Sequence, residues 1–114
     1  MRGCQKCKES KGEGIIRNFL EKNCIKYEPQ KKFAKCKDIN LLPFDFYLTT
    51  DNICIEFDGK QHFDSIERYG GNVGLKYIQT HDKIKNEFCK NNNIKLIRIS
   101  YKENIIERLD SELL

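Results

Sequence analysis

The segment from Leu42 to Phe63, LPFDFYLTTDNICIEFDGKQHF, constrains this chain more than any other. Two runs of alternating apolar and polar residues, joined by a tight turn through Thr50-Asp51-Asn52, predict a β-hairpin. Phe44, Phe46 and Leu48 are expected on one face, with Asp45, Tyr47 and Thr49 on the other. The second run sets Ile53, Ile55 and Phe57 against Cys54, Glu56 and Asp58. A two-residue turn at Thr50-Asp51 brings Asp45 opposite Glu56; a turn at Asp51-Asn52 brings it opposite Asp58; a three-residue turn brings it opposite Phe57. Opposed side chains have Cβ atoms about 4.5–5.5 Å apart, and like charges there destabilise the pair. A hard divalent cation with oxygen ligands is the natural means of offsetting that repulsion.

A chain of 114 residues has room for one domain with a modest core. Its net charge of +4 leans mildly toward polyanionic partners. No apolar run approaches the roughly 18 residues of a membrane span, and no signal peptide opens the chain. A membrane partner is therefore not expected, and an intracellular, reducing compartment is, with cytoplasm, nucleus and viral origin all left open. That setting fits four of the six cysteines as free thiols. Cys24, Cys54 and Cys89 fall inside predicted elements at positions that read as buried, and Cys36 falls in a loop. Cys4-x-x-Cys7 has metal-knuckle spacing but supplies half of a four-ligand zinc site. The alternative is an unmetallated tail over residues 1–9.

Ser10-x-x-Glu13 is a capping-box pattern ahead of an apolar periodicity at Ile15, Ile16, Phe19, Leu20 and Cys24, which predicts a helix over 11–23. A short strand is expected near 25–28, then a basic loop from Lys31 to Lys37, the hairpin over 44–58, and a polar loop over 60–72. The spacing predicts a second helix over 73–91, with Leu75, Ile78, Asp82 and Cys89 on one stripe and Tyr77, Ile84 and Phe88 beside it. Asn91-Asn92-Asn93 stops it. A buried strand over 94–99 and an amphipathic helix over 103–113 follow. The order predicts an α/β sandwich around a small mixed sheet.

Glu13, Asp45, Glu56, Asp58, Gln61, His62 and Asp82 are the candidates for one site. Phosphodiester hydrolysis uses these residue types: carboxylates hold Mg²⁺ or Mn²⁺, which polarises the phosphate and lowers the pKa of a water. A histidine or lysine then moves a proton or offsets developing charge. Each candidate has a plainer reading. The capping box alone explains Glu13, and Asp82 is placed to pair with Lys85 on the same helix. Lys31, Lys32, Lys35 and Lys37, with Phe33 among them, suit a DNA backbone or a solvated loop, and Lys60 is ambiguous in the same way. Lys83, Lys85 and Arg98 read as ordinary surface charges. His81 faces about 100° away from Asp82 on a helix and is left out of the site.

The motifs S-K-G-E at 10–13, F-A-K-C at 33–36, L-P-F-D-F-Y-L at 42–48, I-E-F-D-G-K-Q-H-F at 55–63, H-D-K-I-K-N at 81–86 and I-K-L-I-R-I at 94–99 run in order over most of the chain. Together they resemble the Vsr-like branch of the PD-(D/E)xK nuclease superfamily, which holds very-short-patch-repair endonucleases and homing endonucleases with an E-D-x-H-D site pattern. The resemblance implies a restriction-endonuclease-like αβββαβ sandwich over 10–114 and Mg²⁺- or Mn²⁺-dependent DNA cleavage. It matches Glu13 to the family's helix-borne glutamate, Asp45 to the central metal-binding aspartate, His62 to the site histidine and Asp82 to the aspartate orienting it. On that basis Asp45, Glu56 and Asp58 hold the metal. Members often carry an upstream zinc-ribbon-like module, and Cys4-x-x-Cys7 is similar to its last knuckle, which implies a shortened member or a fragment. Two departures stand out. The family's D/E-x-K appears as Glu56-Phe57-Asp58, without a lysine, or as Asp58-Gly59-Lys60, with the lysine past the strand end. His62 is displaced by about one residue. A catalytically silent DNA-binding module and an enzyme acting on RNA are the alternatives; the oligomeric state is left open.

Overall fold

The structure, a computed structural model, describes residues 10–38, 40–60 and 71–114. Helix α1 (Lys11–Lys22) begins at Ser10, whose hydroxyl accepts from the Glu13 amide at 3.1 Å while the Glu13 carboxylate accepts from the Ser10 amide at 3.2 Å. This reciprocal cap satisfies two amides that the first helical turn would otherwise leave unpaired, a contribution of about 1 kcal/mol. The helix ends at Asn23, and Cys24 turns the chain away with φ 56°. Cys24 is exposed, not buried as its periodicity suggested, because it lies past the last helical residue.

Strands β1 (Glu28–Lys37), β2 (Leu41–Leu48), β3 (Ile53–Asp58) and β4 (Lys95–Ser100) form one mixed sheet in the order β1-β2-β3-β4. β1 and β3 run antiparallel to β2, and β4 runs parallel to β3. Helix α2 (Gly71–Asn91) connects β3 to β4, and helix α3 (Ile105–Leu113) closes the described chain. The result is a small α/β domain, a four-stranded mixed sheet with three helices. Among the described residues no helix is long and apolar enough to cross a membrane.

Residues 31–37 are strand, not the expected basic loop, and the short strand expected at 25–28 begins only at its last residue. The lysines hid the pattern because β1 is an edge strand: its buried residue is Cys36, with Phe33 half-buried, while Lys32, Lys35 and Lys37 stay in water. Charged side chains on an edge discourage pairing with other chains. Cys36 is accordingly buried in a strand instead of lying in a loop.

The sheet buries both faces. Phe46, Leu48, Ile53, Ile55, Ile97 and Ile99 pack against Ile16, Phe19 and Leu20 of α1 and Leu109 of α3. On the other face Cys36, Leu42, Phe44 and Cys54 meet Cys89, with Ile84 and Phe88 of α2 packed beside them. Phe44 therefore lies on the opposite face from Phe46 and Leu48, which corrects the expected single stripe. The alternation breaks at Asp45, and the residue facing it in the continued β1 register, Gln30, adopts φ 52°. The two neighbouring strands thus depart from regular pleating at the same level.

Candidate active site

The hairpin register is Phe46↔Ile55, Tyr47↔Cys54 and Leu48↔Ile53, which is the arrangement expected from a turn centred on Thr50-Asp51. Continuing it sets Asp45 across from Glu56. Beyond Phe46 the regular ladder gives way to side-chain bonds between the strands. The Asp45 amide donates to Glu56 Oε2 at 2.6 Å, and the Phe57 amide donates to Asp45 Oδ2 at 2.8 Å. Each acid thus binds the backbone of the other's strand. Two carboxylates are held together by backbone donors despite their repulsion.

Glu13 joins them from α1, through a side-chain hydrogen bond with Asp45. Its capping role and its site role coexist, since the same carboxylate also closes the α1 cap. Burial first, then the charges of Glu56 and Glu13, pushes the Asp45 carboxyl up to about 9. Near neutral pH it carries a proton, and that proton is donated toward Glu13. The spacing is enforced by Gly12. A Cβ added there would land on the Phe57 ring, so only glycine lets the ring lie against α1.

Glu56 is 3% exposed, and its other oxygen receives Lys85 Nζ at 2.7 Å. Lys85 comes from α2, lies 5.3 Å from the Phe44 ring centroid, and has a largely covered side chain. It is a site residue, not the surface charge its sequence position suggested. Its periodicity with Cys89, one turn further on and buried, was the signal: both face the sheet.

Asp58 and Asp82 form a neighbouring cluster around Arg98. Arg98 Nη1 lies 2.8 Å from Asp58 Oδ1 and 3.5 Å from Asp82 Oδ1, and its Nε donates to Asn86 Oδ1 at 2.7 Å. Its Nη2 donates to the Asp82 carbonyl at 3.2 Å. Asp82 points inward as expected, and its ion-pair partner is Arg98 where Lys85 had been the plainer alternative. Arg98 was likewise misread as a surface charge. Ile97 and Ile99 on one face of β4 put Arg98 on the other, where the parallel pairing Glu56↔Arg98 and Asp58↔Ser100 brings it to the acids. The expected metal trio Asp45, Glu56 and Asp58 is therefore divided: the first two share Glu13 and Lys85, and Asp58 is engaged by Arg98.

Among the described residues, no group of three or more His, Cys, Asp and Glu side chains stands ready to hold a metal ion. The chemistry of the donor set nevertheless suits one. Asp45 retains a proton because it is buried and because two further carboxylates crowd it, and a hard cation would take the place of that proton.

Of the lysines expected to meet a nucleic acid, Lys32, Lys35 and Lys60 are exposed. Lys31 is committed to the protein: its Nζ lies 3.5 Å from Glu28 Oε1 and 5.5 Å from the Phe33 ring centroid. His81 Nε2 lies 3.1 Å from Asp38 Oδ2, and its ring lies tilted against Tyr77 at 4.1 Å between centroids. Gln61, His62, Cys4 and Cys7 lie outside the described residues, as does most of the expected 60–72 loop.

No family model, no curated protein and no solved structure matches this chain.

Proposed function

We propose that the protein is a divalent-cation-dependent DNA endonuclease with a restriction-endonuclease-like fold, related to the Vsr-like enzymes that its motifs resemble. The observation that carries this reading is the meeting of Glu13, Asp45 and Glu56 from three elements, with Lys85 directly on Glu56. Three carboxylates and an ammonium at one spot form an arrangement suited to a cation and a phosphate. In this reading Asp45 and Glu56 hold Mg²⁺ or Mn²⁺, with Glu13 beside Asp45 as a third carboxylate once the ion has taken the place of the proton between them. The ion, when bound, polarises the phosphoryl oxygen and acidifies a water.

The chain's own residues supply the rest. The Phe57 and Asp45 amides fix both carboxylates, so little reorganisation accompanies catalysis. Lys85 takes the place of the lysine missing from Glu56-Phe57-Asp58, and offsets negative charge on the phosphate as it develops. His62 remains the residue proposed to move a proton to the leaving oxygen. Asp58 and Asp82 hold Arg98, and through it they fasten α2 to β3 and β4.

Nicking of supercoiled plasmid tests this. Native protein with Mg²⁺ or Mn²⁺ is expected to relax the plasmid, and EDTA, Asp45→Asn and Lys85→Met each to stop it. Plasmid binding without relaxation in the native protein would instead support the silent DNA-binding module, and relaxation that survives Asp45→Asn would remove this site from the reaction.

A further inference from the structure

Three of the four described cysteines lie together under α2: Cys36 of β1, Cys54 of β3 and Cys89 of α2, in one buried cluster with Leu42 and Phe44. Cys54 and Cys89 share a side-chain hydrogen bond, so their sulfurs already meet. Their placement repeats that of the neighbouring ion pair. Cys54 lies two residues before Glu56 on the same face of β3, and Cys89 lies one turn beyond Lys85 on the same face of α2. The contacts Cys54–Cys89 and Glu56–Lys85 are therefore successive rungs between one strand and one helix.

We propose that Cys54 and Cys89 are a redox pair: a hydroperoxide converts them to a disulfide that pins α2 to β3 and slows the carboxylate site. The effect on the site rests on the endonuclease reading; the disulfide does not. Cys89, 2% exposed against 0% for Cys54, meets the oxidant first, when α2 lifts locally from the sheet. Its sulfur takes the terminal peroxide oxygen, the O–O bond breaks, and an alcohol leaves with the thiol proton, giving a sulfenic acid. The Cys54 sulfur then attacks the Cys89 sulfur, the S–O bond breaks, and the hydroxyl leaves as water with the Cys54 proton. In sum, two thiols and one hydroperoxide give a disulfide, an alcohol and water, and two electrons pass from sulfur to the peroxide. The new bond tightens one rung, so Lys85 on the next is held on Glu56 and no longer turns to a phosphate. Thiol reductants reverse the bond, as suits a transient disulfide in a reducing compartment.

The test treats the full chain with hydrogen peroxide and maps its unreduced peptides by mass spectrometry. The expected result is a Cys54–Cys89 peptide pair lighter by two hydrogens and a melting temperature raised by roughly 10 °C. Most plasmid nicking should be lost with it and return on adding dithiothreitol. Cys54→Ala and Cys89→Ala, shown to be folded by their melting curves, should each nick as the native protein does and keep nicking in peroxide. Peroxide that leaves Cys54 and Cys89 unjoined in native protein, or joins either to Cys36, overturns the pair. A Cys54–Cys89 bond with nicking unslowed overturns its control of the site. Asp45-dependent nicking without this disulfide removes only the present inference; the disulfide in a protein that never nicks removes only the endonuclease reading and, with it, the effect on the site.

Discussion

Asp45 is the residue on which the site turns, and its position explains why it is costly. It is half-buried, between Glu56 and Glu13, and it keeps a proton up to about pH 9. Its folded pKa is raised above the ordinary value, so the folded state binds more protons than the unfolded one between about pH 4 and 9. The stabilisation this gives is fully present below pH 4 and is lost as pH rises toward 9. Metal-free protein should therefore melt at lower temperature at pH 9 than at pH 6, and Asp45→Asn, which keeps the neutral shape, should flatten that slope. At pH 8 the same change should stabilise the metal-free fold by about 1–2 kcal/mol, measured by urea unfolding, while ending plasmid nicking. Lys85 behaves in the opposite sense. Removing it leaves Glu56, 3% exposed, without its counter-charge. Lys85→Met should cost about 3 kcal/mol in the same unfolding experiment, and no loss of stability would show that the pair is idle.

At the scale of elements, α1 is fitted to the hairpin by the contact of Gly12 with the Phe57 ring. An exposed helical glycine replaced by alanine usually gains about 1 kcal/mol. Here the added methyl meets the ring, and Gly12→Ala should instead lose about 1–3 kcal/mol by overpacking and shift Glu13 from Asp45. Differential scanning calorimetry gives the sign directly. The hairpin, both flanking helices and β4 were legible because their patterns have one period each and clear ends: Ser10-Glu13 opens α1, and Asn93 at φ 57° follows α2. β1 was not legible, since an edge strand studded with lysine lacks the alternation of a half-buried one. The reversal at Asp45 was hidden too. It accompanies side chains bonding across strands, which do not follow from the local sequence. Asp45, Glu56 and Asp58 could be read from the hairpin, Glu13 from the capping box and Asp82 from its helical stripe. Their cations, Lys85 and Arg98, lie on α2 and β4, and only the parallel pairing of β3 with β4 brings Arg98 near.

Across the whole molecule the sheet separates two kinds of interior. One face holds a core of isoleucine and leucine with Phe19 and Phe46 under α1 and α3, and the other holds Phe44, Phe33, Phe88 and three buried thiols under α2. The acids collect where β2 and β3 part, between the two, with Lys85 and Arg98 bracing α2 over them. Replacing Arg98 by methionine should uncouple this layer, lowering the melting temperature and speeding hydrogen exchange in α2 before the sheet. A uniform effect on both would contradict the role given to Arg98. The account as a whole rests on a cation displacing the proton shared at Asp45. Calorimetric titration with Mn²⁺ at pH 7, in buffers of different ionisation enthalpy, measures that displacement. The account predicts about one proton released per ion bound by the native protein and none by Asp45→Asn; Mn²⁺ binding without proton release, or unaltered by Asp45→Asn, would contradict it.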